Sequence, residues 1–145
     1  MHDPFDSLIF LTNRVGRLLS IEVRKKLGED EVQQVLQPTH MGVLVDLWMQ
    51  DGVRQQDLAV STIKDKGTIT RTLNFLEQEN LVVRVPDRTD KRNKRIYLTH
   101  MGKELKHQLL PYARDAIGGA TAGICEHDLR ICKDVLAKVY KNLTK

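Results

Sequence analysis

Near the middle of the chain, two short runs of strand-forming residues enclose a long turn. The first run is Leu81–Val85 and the second is Arg95–Leu98. The residues between them include four turn formers, namely Pro86, Asp87, Asp90 and Asn93. The pattern predicts a two-stranded antiparallel ribbon with a long tip. Because the sequence on both sides has helical periodicity, we expect a mainly α fold with a small antiparallel β-ribbon.

The ribbon also carries the net charge of the chain. Residues 84–95 contain six lysines and arginines and two aspartates, which gives a net charge of +4. The whole chain has 23 Lys and Arg against 19 Asp and Glu, so the other residues sum to zero. Concentrated positive charge favours a polyanionic partner, because each neutralised phosphate releases condensed counterions. A solvated surface loop is the alternative interpretation.

The composition and the N-terminal segment favour a single folded domain over a secreted or membrane-spanning protein. With 41% hydrophobic and 29% charged residues in 145, the chain can bury one core, so we expect a single domain over residues 1–145. The segment Met1–Asp6 carries acid where a signal peptide needs base, and the apolar run Leu8–Leu11 is too short to span a bilayer. Two cysteines do not make a disulfide framework. We therefore expect a cytoplasmic protein with no membrane partner.

Three helical segments precede the ribbon. The first starts near Gln37–Thr39 and ends at Asp51–Gly52, and the second is a short piece over residues 54–61. The third runs from about Lys66 to Glu79, with Asp65 as its N-cap. Helix, short helix, turn, helix and ribbon, in this order, predict a helix-turn-helix followed by a wing.

The third helix has an apolar face and a polar face. Ile69, Leu73 and Leu76 share the inner side at helical spacing. The outer side carries no acid, and its residues are Thr68, Thr70, Arg71 and Asn74. In the major groove, arginine recognises guanine and asparagine recognises adenine. An ordinary amphipathic helix is the alternative for this segment alone, but the adjoining basic ribbon favours DNA binding.

Five motifs follow one another along the chain: Asp51–Ala59, Lys66–Leu73, Leu76–Glu77 with Asn80–Val82, Asp90–Arg92 and Leu98–Gly102. In this order and at this spacing, they resemble the MarR family of winged helix-turn-helix transcriptional regulators. The third of these is the exit of the recognition helix, the fourth matches Asp-x-Arg at the wing tip, and the last matches Leu-Thr-x-x-Gly after the wing. The resemblance covers about residues 37–110.

This resemblance implies a homodimeric regulator on a palindromic site in double-stranded DNA. Its recognition helix would read the major groove through Thr68, Thr70, Arg71 and Asn74. Its wing would hold the backbone or the minor groove through Arg88, Lys91, Arg92 and Lys94, and Asp90 would orient Arg92. Phe75 departs from the family pattern, in which polar residues are usual. We expect it to pack on the wing or a sugar, or to cover a neighbouring apolar surface.

Apolar stripes at both ends of the chain indicate partner helices. One stripe is Leu8, Leu11, Val15 and Leu18, and the other is Cys125, Leu129, Cys132, Leu136, Val139 and Leu143. We expect dimerisation helices at about residues 5–27 and 111–145, with an intrachain bundle as the alternative. The glycine-rich segment Gly118–Gly123 is predicted to break the helix that starts after Thr99, and to form a joint between the lobes.

The sequence says less about what the protein senses. An effector pocket lined by Arg14, Arg17, His40, Trp48 and Tyr112 would suit a small aromatic or anionic ligand. We interpret both cysteines as small buried hydrophobes rather than an intersubunit bridge. A metal site of His40, Glu104 and His107 is a weak alternative, and we expect no metal.

No catalytic motif is present in the sequence, so we expect neither an enzyme nor a cofactor. The most consistent function is a sequence-specific DNA-binding regulator that acts as a ligand-responsive repressor. A winged-helix module for protein interaction or DNA architecture, without specific readout, is the alternative. Salt-dependent, sequence-selective binding to duplex DNA discriminates the two.

Overall fold

The computed structural model of the protein describes residue 3 and residues 8–27 and 36–144. Within these ranges the helices are α1 (Leu8–Lys26), α2 (Pro38–Met49), α3 (Gln55–Thr62), α4 (Lys66–Gln78), α5 (His100–Ala120) and α6 (Glu126–Leu143). The strands are β1 (Val53–Arg54), β2 (Val82–Pro86) and β3 (Lys94–Leu98). The mainly α fold with a small antiparallel sheet is confirmed. Residues 5–7 of the predicted N-terminal helix lie outside the described residues.

The sheet contains one strand more than the sequence predicted. Its order is β1-β3-β2, and all neighbours are antiparallel. β2 and β3 form the predicted ribbon, while β1 adds a third strand in which Val53 lies opposite Ile96. Arg54 pairs with Arg95 in this strand, so its placement in a helix was wrong. Two residues are too few to show the alternation by which a strand is recognised in a sequence.

Helix α4 begins where the sequence predicted because Asp65 caps it. The Oδ1 atom of Asp65 accepts a hydrogen bond from the Thr68 backbone N–H at 2.7 Å. The inner face of α4 is buried and consists of Ile69, Thr72, Leu73 and Leu76. Its aliphatic side chains, Ile69, Leu73 and Leu76, join Leu44 and Leu47 of α2, Leu58 of α3 and Ile96 of β3 in one core. Full burial of each aliphatic side chain contributes roughly 1.5–3 kcal/mol, so this face fixes the orientation of α4.

Helix α5 connects the winged part of the chain to its C-terminal part without a break. Thr99 caps it, since its hydroxyl accepts a hydrogen bond from Gly102 N at 3.0 Å. The helix ends at Ala120, so the predicted break within Gly118–Gly123 is confirmed, although Gly118 and Gly119 themselves are still helical. Each glycine costs only about 1 kcal/mol relative to alanine, which a long helix absorbs. The connection to α6 lies at residues 121–125, where Gly123 adopts a φ of +82°.

The terminal helices expose apolar residues in this single chain. No residue of α1 or α6 is buried. The exposed side chains include Leu8, Leu11, Val15 and Leu18 on α1, and Ile131, Val135, Leu136 and Leu143 on α6. α1 packs along α5, to which Lys26 is tied by an ion pair with Asp115 at 3.0 Å. No helix within the described ranges is long and apolar enough to cross a membrane.

The two cysteines lie on the surface of this chain, so our interpretation of them as buried was wrong for the protomer. Cys125 is the N-cap of α6, not a residue of its apolar stripe, and its Sγ accepts a hydrogen bond from Asp128 N at 3.5 Å. Serine, threonine and aspartate are the usual residues at such a position, which is why the cap was not anticipated.

Gly102 allows a close approach between α5 and the segment that connects α4 to β2. A Cβ atom there would lie 2.2 Å from the Leu81 carbonyl oxygen, whereas one at Gly118 would meet nothing within 4 Å. We expect Gly102→Ala to lower the free energy of unfolding by about 1–3 kcal/mol, because the helix must shift away from the strand. The matched control Gly118→Ala should raise it by up to about 1 kcal/mol. Urea denaturation measures both, and equal effects of the two substitutions would contradict the packing described.

Candidate nucleic-acid interface

The outer face of α4 carries the side chains predicted to read bases. Thr70, Arg71 and Asn74 are exposed, and Thr68 is half-buried. The Arg71 Nη2 donates to Thr68 Oγ1 at 3.2 Å, and Thr68 Oγ1 in turn donates to Asp65 Oδ2 at 3.1 Å. The hydrogen bond from the Thr68 backbone also lowers the pKa of the Asp65 carboxyl. The cap therefore orders the first turn of α4, including one rotamer of Arg71.

Thr70 connects α4 to the helix before it. Its hydroxyl donates to the Lys66 carbonyl at 2.8 Å and accepts from Gln55 Nε2 at 3.2 Å. Gln55 is the first residue of α3. The contact therefore joins the two helices of the helix-turn-helix on their solvent-exposed side.

The wing tip comprises residues 87–93, between β2 and β3. It is closed by hydrogen bonds from Asp87 N to the Asn93 carbonyl at 2.9 Å and from Asn93 N to the Asp90 carbonyl at 3.0 Å. Asp90 Oδ1 accepts from the Arg92 backbone at 3.1 Å and lies 3.6 Å from Arg92 Nε. The structure thus brings Asp90 and Arg92 together, while the Arg92 side chain remains 95% exposed. The other predicted wing residues, Arg88, Lys91 and Lys94, are exposed as well.

A buried carboxylate, that of Asp87, anchors the wing tip at the point where the chain leaves β2. Only 4% of the Asp87 side chain is exposed. Its Oδ1 accepts from Arg95 Nε at 3.0 Å, and its Oδ2 lies 3.5 Å from Arg54 Nε and accepts from the Thr89 hydroxyl at 3.3 Å. The Arg95 hydrogen bond holds the pKa of Asp87 below its ordinary value, and the same contact raises the pKa of Arg95. A second Arg95 hydrogen bond reaches the Gly52 carbonyl at 2.8 Å, beside β1.

Sequence reasoning treated Asp87 only as a turn former and missed this role. The available signal was an acid inside a strongly basic segment, directly after Pro86 at the end of the first strand run. Because opposite charges attract, an acid among these bases is expected to form an ion pair with one of them. Its partner Arg54 belongs to β1, the strand that the sequence did not reveal, so the pairing could not be inferred.

A groove of about 250 Å³ lies between the wing and the helices α3 and α4. The helical residues that line it include Gln55, Gln56, Lys66 and Thr70, and the wing residues are Arg92, Asn93 and Lys94. The structure therefore brings Thr70, Arg92 and Lys94 of the predicted set to one groove. Thr68, Arg71, Asn74, Arg88, Asp90 and Lys91 do not line it.

Phe75 covers an apolar surface within the chain, which was one of the three expected outcomes. Its ring stacks on His40 of α2 with centroids 4.3 Å apart, and it packs against the core. His40 Nδ1 accepts a hydrogen bond from Gln37 N at 2.8 Å, and burial lowers the pKa of the imidazole. His40 thus packs α4 against α2.

Among the described residues, no group of three His, Cys, Asp or Glu side chains can hold a metal ion.

A second, mostly apolar cavity of about 570 Å³ lies between α1, α2, the end of α3 and α5. Its lining includes Leu19, Val23, Met41, Val45 and Ala113. None of the five residues predicted for an effector pocket lines it. The Arg14 guanidinium lies 3.9 Å from the centre of the Phe10 ring, and His40 stacks on Phe75. Trp48 donates to the Gly102 carbonyl at 3.0 Å, while Arg17 and Tyr112 are exposed.

A helix-turn-helix followed by an antiparallel wing defines a winged helix-turn-helix protein. The family model described as the MarR family matches residues 36–94. The regulator TtmR of Methylorubrum extorquens strain PA1 is 34% identical over 103 residues, which are 70% of this chain and 51% of that protein. This chain thus spans about half the length of that curated relative.

Two solved structures resemble the whole chain. CouR from Rhodococcus jostii RHA1, bound to p-coumaroyl-CoA, has a TM-score of 0.79 and 28% identity, with 96% of this chain and 95% of that chain covered. A MarR-family regulator from Rhodococcus sp. RHA1 has a TM-score of 0.82 and 29% identity, with 96% of both chains covered. Residues 36–94 therefore match the MarR family model, and the whole chain is similar in fold to a MarR-family regulator.

The buried Asp87 predicts a specific pH dependence of stability. Its folded-state pKa is lowered, so its contribution is present above the ordinary aspartate pKa of about 3.9 and is lost as the pH falls below that value. We expect Asp87→Asn to be less stable than the wild type at pH 7, and the difference to shrink towards pH 3. The exposed Glu104→Gln serves as a control that should show no such difference. Chemical denaturation across this range measures both, and a pH-independent effect of Asp87→Asn would contradict the ion-pair assignment.

Proposed function

We propose that the protein is a sequence-specific, double-stranded DNA-binding transcriptional regulator that acts as a homodimer on a palindromic operator. It represses transcription until a small ligand releases it. The single observation that carries this proposal is the groove between α4 and the wing, where Thr70 of the helix meets Arg92 and Lys94 of the ribbon. A helix in the major groove beside a wing on the backbone requires this juxtaposition.

The charges of the interface support a polyanionic ligand. Three acids near the surface of α4 and the wing have a cationic partner, which limits their repulsion of phosphate. Asp87 pairs with Arg54 and Arg95, Asp90 lies beside Arg92, and Glu77 pairs with Arg84 at 3.0 Å. Arg88, Lys91 and Lys94 are exposed on the same ribbon and have no acid within ion-pair distance among the described residues. The net positive potential therefore lies at the wing.

The exposed apolar stripes of α1 and α6 support a dimer. A single chain leaves both stripes in water, whereas a two-fold symmetric partner would bury them. We propose that the winged core, about residues 37–110, is flanked by these dimerisation helices. Because α5 runs unbroken from the wing into the C-terminal part, it would hold the two recognition helices about one DNA turn, ~34 Å, apart.

The apolar cavity supports a ligand response. Its walls suit an apolar or aromatic ligand body, and Arg24 and Lys64 in its lining offer positive charge to an anionic group. CouR, one of the similar structures, binds p-coumaroyl-CoA. Because the cavity touches α1 and α5 as well as α2 and the end of α3, a bound ligand would bias the angle between the dimer helices and the winged core. Arg14, Arg17, His40, Trp48 and Tyr112 remain our prediction for an effector pocket between the dimerisation helices and the winged core.

In this proposal Arg92 contacts phosphate and Asn74 contacts a base, and substitutions at the two positions should therefore have different effects. Arg92→Ala should weaken binding to all duplexes and reduce the slope of log affinity against log salt by about one, because one phosphate contact is lost. Asn74→Ala should leave the slope unchanged and relax the base preference at one position. Fluorescence anisotropy with a preferred and a scrambled duplex measures both quantities. Lys106→Ala, an exposed charge on α5, is the control. Equal, sequence-independent losses from Arg92→Ala and Asn74→Ala would contradict the assigned roles.

Leu136 tests the dimer. It is 40% exposed on the apolar stripe of α6, so Leu136→Glu should place a charge in the proposed interface and shift the protein to monomers. Sedimentation velocity measures the mass of the species. Lys141→Glu, on the polar side of the same helix, should leave the dimer intact. A wild-type protein that sediments as a monomer at micromolar concentration would refute this part of the proposal.

A further inference from the structure

The side chain of Arg84 holds the amide of Asn74 in one orientation. Arg84 lies on β2, and its Nη2 donates to Asn74 Oδ1 on α4 at 2.7 Å. The same nitrogen donates to Glu77 Oε1 at 3.0 Å. A guanidinium carries donors and no acceptor, so the amide oxygen of Asn74, and not its nitrogen, must face Arg84. The orientation of this amide is therefore fixed by chemistry.

Glu77 keeps the guanidinium in place. Each terminal nitrogen of an arginine bears two hydrogens, and Nη2 of Arg84 has one for each of its two acceptors. The Arg84 hydrogen bond lowers the pKa of the Glu77 carboxyl, so the pair stays ionised at neutral pH. Arg84 is only 22% exposed, which limits the competition of water for these contacts.

This orientation restricts what Asn74 can recognise. Bidentate recognition of adenine needs the amide oxygen to accept from N6 while the amide nitrogen donates to N7. Arg84 takes one of the two lone pairs of this oxygen, and its guanidinium lies against it. We therefore assign the amide nitrogen to the base, and this nitrogen can only donate. Guanine and thymine present acceptors in the major groove without a donor beside them.

We propose that Arg84 is a positioning residue for specificity, which makes Asn74 select guanine or thymine over adenine. The inference rests on the proposed function, in which α4 enters the major groove. It differs from the simple expectation that an asparagine on a recognition helix pairs with adenine.

The experiment measures binding to duplexes that carry each of the four bases at the position read by Asn74. That position is the one at which Asn74→Ala relaxes the preference. We expect the wild type to favour guanine or thymine there, and Arg84→Met, which has no donor, to improve the relative affinity for adenine by about five- to tenfold. Arg84→Lys, which keeps a donor, should restore most of the wild-type preference. Thermal unfolding of each variant checks that it is folded.

Asn74→Asp gives a second test that does not depend on the folding of the Arg84 variants. Aspartate has nearly the same shape and offers only acceptors, so the preference for guanine or thymine should be lost. Three results would overturn the inference: a wild-type preference for adenine, no effect of Asn74→Ala on any base, or a preference unchanged by both Arg84→Met and Asn74→Asp. A wild type with no base preference anywhere would overturn the proposed specific readout and this inference with it.

Discussion

The position of the wing depends on the buried carboxylate of Asp87. The ribbon is a two-stranded extension with a strongly basic tip, and such a hairpin has little core of its own to fix it. Asp87 ties the tip to Arg54 of β1 and Arg95 of β3, and Arg95 also reaches the backbone beside β1. One acid therefore connects the wing to the strand that leads directly into the helix-turn-helix. Without it, two guanidinium groups would lie close together without a counter-charge.

Helix α4 is held in place by contacts with several other elements. Its apolar face joins the core, and the Phe75–His40 stack supports it against α2. Gln55 links it to α3 through Thr70, and Arg84 links it to β2 through Asn74 and Glu77. The helix and the wing thus form one preorganised surface. A surface with its side chains already ordered loses less conformational entropy on binding.

The sequence predicted those parts of the structure that follow from local pattern. The N-cap Asp65, the buried face of α4 and the two long strands all appear as predicted, because capping and periodicity act over a few residues. The third strand was missed because Val53–Arg54 is too short to show a pattern. The break after α5 lies within the predicted segment Gly118–Gly123, but it begins only at Thr121, because a long helix tolerates two glycines whose individual propensities argue against it.

The sequence predicted which residue types lie in the candidate site, but not which side chains contact one another there. Exposed Thr, Arg and Asn side chains on α4 and the basic residues of the wing were identified correctly as surface groups, but their hydrogen-bond partners were not. Asp87 pairs across 33 residues with Arg54, and Arg84 pairs back with Asn74 from another element. Such contacts depend on how strands and helices are placed in three dimensions. For the same reason, the cavity between α1, α2, α3 and α5 has a lining that no sequence pattern indicated.

The most direct measurement is selection of duplexes by the purified wild-type protein from a random library, followed by anisotropy titration at several salt concentrations. We expect enrichment of a two-fold symmetric sequence with half-sites about one helical turn apart, and a linear fall of log affinity with log salt. A library that stays random after selection, with affinity equal to that for scrambled duplex at matched salt, would contradict the assignment of α4 and the wing as a specific DNA-binding surface.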